Sequence, residues 1–89
     1  MLARVATFNQ LPDGLDNDAV ELLRKTIRDT PGFVAGYHLG GPGGKSLSIV
    51  IFEDADAGRA AAAALERRPE DQRVKISPDA VEFFEAQPF

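Results

Sequence analysis

The chain has no cysteine and a single histidine, His38. Without cysteine there is neither a disulfide nor a thiolate metal site. With one histidine, a metal centre would have to be built from carboxylates. The closest acids, Asp13, Asp16 and Asp18, sit in a turn where a helix begins and are better explained as capping residues. No Ser-His-Asp or Cys-His set can be assembled around His38 with any specificity. Basic residues are also few: 10 Lys and Arg against 14 Asp and Glu, a net charge of −4. Nucleic acids and anionic membranes both call for a basic footprint, so neither is an expected partner. No apolar run is long enough to span a bilayer, and the N-terminus lacks the basic-then-apolar form of a signal peptide. The expected location is the cytoplasm, and no metal, haem, nucleotide or other cofactor is expected.

What is there fits one domain of 89 residues. A chain of this length buries roughly 60–65% of its unfolded surface, so its core is thin and self-association is the expected remedy. The stretch FVAGYHLGGPGGKSLSIVIFE, Phe33 to Glu53, reads as a β-hairpin around a glycine-rich turn. Phe33, Ala35, Tyr37 and Leu39 share one face of its first strand, and Leu47, Ile49 and Ile51 share one face of its second. An even register joins them into one apolar face. Val34, Gly36 and His38 with Ser46, Ser48, Val50 and Phe52 form the other, mixed face. Apolar groups on both sides predict a sheet covered twice.

Around the hairpin, Leu2 to Asn9 reads as a first strand that stops at Leu11-Pro12-Asp13-Gly14. A helix follows over about Asp18 to Thr30, with Asp18 and Glu21 as a capping pair. Ala19, Leu22, Leu23, Thr26 and Ile27 form its apolar face, and Pro31-Gly32 ends it. The second helix runs from about Ala55 to Arg67, capped by Asp54 or Asp56. Its alanines favour helix and leave little bulk toward the sheet. Ser77-Pro78-Asp79 has the form of a helix start, whereas Val81-Glu82-Phe83-Phe84-Glu85 has the form of a strand. The strand completes a β-α-β-β-α-β, ferredoxin-like order of the α+β class. Strands 1 and 3 are then central, and both helices lie on one face. Gly40-Gly-Pro-Gly-Gly-Lys-Ser46 looks like a phosphate-binding loop, but its first glycine is one residue too close and it leads into a strand rather than a helix. An exposed hairpin turn is the expectation.

The order of elements, the Pro31-Gly32-Phe33 junction and the stretch from Ser48 through Ile-Val-Ile-Phe-Glu to Asp54 together resemble the antibiotic-biosynthesis-monooxygenase-like group of the dimeric α+β barrel superfamily. The resemblance covers nearly the whole chain. It implies a homodimer in which two ferredoxin-like sheets close a barrel through their helix-free faces. For function it implies a small cofactor-independent monooxygenase-like protein acting on aromatic or polyketide-type molecules. The alternative is a non-catalytic dimeric ligand-binding or scaffold protein. That group often has Trp where this chain has Phe52. It also often has His within or soon after the second helix, where Ala60 to Arg68 contains none, so a counterpart to the axial ligand of its haem-degrading members is missing. In the geometry the resemblance implies, Phe52 points toward the helices to stack on a substrate ring, and Val34, Gly36, His38, Ser48 and Val50 share its side. Thr7 or Asn9 joins them from the end of strand 1. His38 is then the candidate general base and Asn9 an approximate match to a polar catalytic group. The rival placement leaves His38 in solvent beside the glycine turn.

Overall fold

The computed structural model describes residues 1–11, 14–70, 74 and 76–89. Its elements run β1 (Leu2–Phe8), α1 (Asn17–Arg28), β2 (Phe33–Gly40), β3 (Ser46–Phe52), α2 (Ala55–Glu66) and β4 (Ala80–Glu85). Among the described residues the strands form one antiparallel sheet in the order β2-β3-β1-β4. The C-terminal stretch is thus a strand rather than a helix. It gains a full ladder against β1, from Leu2 opposite Glu85 to Thr7 opposite Ala80.

Helix α1 is capped two residues earlier than the spacing of Asp18 and Glu21 suggests. Asp16 is the N-cap, and its Oδ1 accepts from the amides of Asp18 (2.9 Å) and Ala19 (3.3 Å). Two orphan amides are satisfied at once, which a cap at Asp18 would leave open. The buried stripe is also rotated. Ala19 is buried, Val20, Leu23 and Ile27 are half-buried, and Leu22 is exposed. Pro12 and Asp13 of the preceding turn lie outside the described residues. At α2, Asp54 is the cap, its Oδ1 accepting from the Ala57 amide at 2.8 Å.

Gly32 joins α1 to β2 at a φ of 91°, and a Cβ placed there would stand 2.5 Å from that of Ala57. Its carbonyl accepts from the Glu53 amide at 2.8 Å, tying the start of β2 to the end of β3. The glycine-rich segment between β2 and β3 is a short 3-10 turn, Pro42–Gly44, with Gly43 and Gly44 at positive φ. It is the hairpin turn expected, and no helix follows it.

The β1–β3 and β2–β3 registers sort the side chains. Val50 and Phe52 face the helices and form the core with Ala57 and Ala61 of α2, and Ile27 and Phe33 pack against it. Phe33 therefore stands opposite to its expected face. A β-bulge is the cause: Phe33 pairs with Phe52 and Ala35 with Ile51, so Val34 is an extra residue that breaks the alternation. The Phe33 ring lies over Gly36, 3.6 Å from where a Cβ would be. On the other side of the sheet, Ala35, Tyr37, Leu39, Leu47, Ile49 and Ile51 keep the expected common face, extended by Val5 and Phe84. Within one chain Tyr37 is 60% exposed and Phe84 51%. No helix among the described residues is long and apolar enough to cross a membrane.

Candidate functional site

The small residues of α2 bring that helix down onto the sheet. Ala57 and Ala61 are buried, and a Cβ on Gly58 would meet the Leu2 side chain at 3.1 Å. At these positions α2 rests directly against the sheet. The space lies instead between α1 and the β2–β3 end of the sheet, as a cleft of about 580 Å³, open on one side, with no α2 residue in its wall. Its helix side is the stripe Val20, Leu23 and Ile27 with Leu15 below; Phe8 closes it from β1, and Val74 and Ile76 border it.

Gly36, His38, Ser48 and Val50 all line this cleft. The register explains why: His38 lies opposite Ser48 and Gly36 opposite Val50, on the face turned to the helices. His38 is exposed and Ser48 half-buried, so the floor has a polar end that meets solvent and an apolar end at Val50.

The other expected site residues are elsewhere. Val34 is the bulged residue, 46% exposed and outside the cleft wall. Phe52 is only 3% exposed, packed in the core against α2, with no face free to stack on a ligand. Thr7 pairs with Leu47 and Ala80 on the helix-free face, because strict alternation turns it away from α1. Asn9 lies past the end of β1, where its amide donates to Asp79 Oδ2 at 2.7 Å, outside the cleft.

The residues that sequence reasoning did not assign to a site come mostly from α1. Asn17, Glu21, Arg24 and Arg28 recur at helical spacing along its border with the cleft. Arg28 Nη2 donates to Glu21 Oε1 at 2.6 Å across two turns. That hydrogen bond and the charge of Arg28 hold the Glu21 carboxyl below its ordinary value against an opposing effect of desolvation, with a lesser contribution from the charge of Arg24. Their sequence signal was the pair of arginines four residues apart beside an apolar stripe.

Among the described residues no group of His, Cys, Asp or Glu could hold a metal ion. Helix α2 offers neither imidazole nor thiolate, so it supplies no axial ligand for a haem.

No family model and no curated protein matches the sequence. Solved structures do match. One is a point mutant of MhuD with two manganese protoporphyrin IX molecules bound per active site: TM-score 0.60, 15% identity, covering 94% of this chain and 90% of that one. Another is the monooxygenase ActVA-Orf6 of Streptomyces coelicolor in complex with nanaomycin D: TM-score 0.60, 19% identity, covering 99% of this chain and 88% of that one. The chain has the ferredoxin-like fold of the antibiotic-biosynthesis-monooxygenase-like proteins. At these identities the likeness is one of fold, and the chemistry rests on the cleft itself.

Proposed function

We propose that the cleft binds a small aromatic or polyketide-type molecule and that the protein is a cofactor-independent monooxygenase-like enzyme with His38 as its base. The observation that carries this reading is the cleft's make-up: a largely apolar wall with His38 and Ser48 side by side at its open end. That is the usual composition of a small-molecule site. A planar ring fits between the Val20–Leu23–Ile27 stripe and Val50, with Phe8 rather than Phe52 as the neighbouring aromatic. His38 takes the proton of a phenolic hydroxyl, and Ser48 donates to the oxygen left behind. The electron-rich anion then reacts with dioxygen. For a naphthalene quinol the balance is quinol plus O₂ giving a hydroxyquinone plus water. One oxygen atom enters the ring, the other leaves as water, and all the electrons come from the substrate.

Oxygen uptake and product analysis with a naphthalene quinol test this reading. Wild type should turn over, and His38→Ala should lose on the order of 10²-fold or more in kcat, the usual worth of a general base. Equal turnover by both would remove His38 from the mechanism. The second reading, a non-catalytic dimeric ligand-binding protein, draws on Asn9 and Thr7 lying outside the cleft, which leaves His38 without the expected polar partner. Ligand binding without oxygen uptake would favour it.

The same reading includes a homodimer. The helix-free face presents Val5, Tyr37, Leu39, Leu47, Ile49, Ile51 and Phe84 together. A second copy meeting it through its own equivalent face would close a barrel and bury the apolar groups that one chain leaves in water.

A further inference from the structure

We infer that the ligand of this cleft is an aromatic carboxylate, its carboxyl group held by Arg24. The inference rests on the cleft being a small-aromatic site and adds to it the charge the ligand must carry. Two arginines and one glutamate border the cleft of a chain whose net charge is −4, so that border carries one positive charge in excess. The two arginines are not equivalent. Glu21 lies three residues before Arg24, within ordinary reach along a helix, yet its carboxylate bonds to Arg28, two turns away, at 2.6 Å. Arg28 is thereby neutralised. Lys25 with Asp29 on α1 and Arg59 with Asp56 on α2 are further ion pairs, each joining a cation to an acid three or four residues away. Arg24 has no ion pair among the described residues.

Arg24, outside any of these ion pairs, sits beside an apolar wall, and the shape of the complement follows. Ile27 and Leu23 flank Arg24 in the helix and line the cleft with it. A ring lying on that stripe would carry a substituent at the α1 border, where a planar guanidinium can bind a carboxylate through two parallel hydrogen bonds. The opposite edge of the ring faces His38 and Ser48 on the sheet. Arg24 therefore acts as a binding residue that fixes which edge of the ligand meets His38.

The test is a fluorescence titration with 2-naphthoic acid and its methyl ester, using ligand emission, which the Trp-free chain does not obscure. The acid should bind wild type about tenfold tighter than the ester, the worth of one partly exposed charge-assisted bond. Arg24→Gln should abolish that preference by weakening the acid about tenfold relative to the ester, with circular dichroism confirming the fold, while Arg24→Lys keeps part of it. Equal binding of acid and ester by wild type, or a preference that survives in Arg24→Gln, overturns the inference and leaves the aromatic site standing. Binding of neither compound overturns both the inference and the aromatic site.

Discussion

A methyl group added at Gly32 would have to share space with that of Ala57, at 2.5 Å, on a backbone whose φ of 91° side chains rarely adopt. Both effects act at one position, and the Ala57 methyl, fixed to its helix backbone, cannot swing aside. Gly32→Ala should cost about 2–4 kcal/mol, strain and overpacking together, read as a lower urea midpoint at unchanged slope. An unchanged midpoint would mean that α2 can shift away from the β2 start at little cost. At this same scale the candidate site was half legible. Gly36, His38, Ser48 and Val50 follow from strand alternation alone. Thr7 and Asn9 were assigned by their place along the chain rather than by the side of the strand they occupy. Val34 depended on an alternation that the bulge interrupts. Phe52 points to the expected side, but how closely α2 would approach it is a matter of packing that no local pattern encodes.

Among the elements, the helices and strands were legible because each carries its own punctuation. Caps, a Pro-Gly stop and a glycine turn bound them to within a residue or two. Two features needed tertiary information. The sequence of β4 supports helix and strand about equally, and what decides it is the ladder to β1, including the Asp79 amide donating to the Thr7 carbonyl at 2.8 Å. The bulge at Val34 has no local signature. It arises because Phe33 reaches the core beside Phe52 while Ala35, Tyr37 and Leu39 stay on the other face. The cleft's position was the element-level surprise. Alanine in α2 made contact with the sheet, and the open space lies under α1, whose half-buried Leu23 and Ile27 do not fill the cleft above the β2–β3 end of the sheet.

For the whole molecule the thin core makes association the natural complement to folding. Ile49 lies mid-sheet on the helix-free face, between Val5 and Tyr37. Ile49→Asp should convert a dimer into monomer or unfolded chain, because a buried carboxylate there would have no partner. Light scattering of wild type at micromolar concentration should give twice the chain mass. A well-folded wild-type monomer would defeat the barrel.

The strand order also sets distances along the chain. Only β2 and β3, joined by the glycine turn, pair as near neighbours. The central strand β1 must find Leu47 with Thr7 and Glu85 with Leu2, so the first and last strands lie side by side in the finished sheet. Loop-closure entropy makes such non-local pairings slow relative to a hairpin. Pulsed hydrogen exchange during refolding should therefore show β2–β3 amides protected first and β1–β4 amides last. Simultaneous protection across all four strands would contradict this order. An early hairpin would hold His38 opposite Ser48 before either terminus has docked, so the polar end of the cleft would take shape ahead of the walls that enclose it.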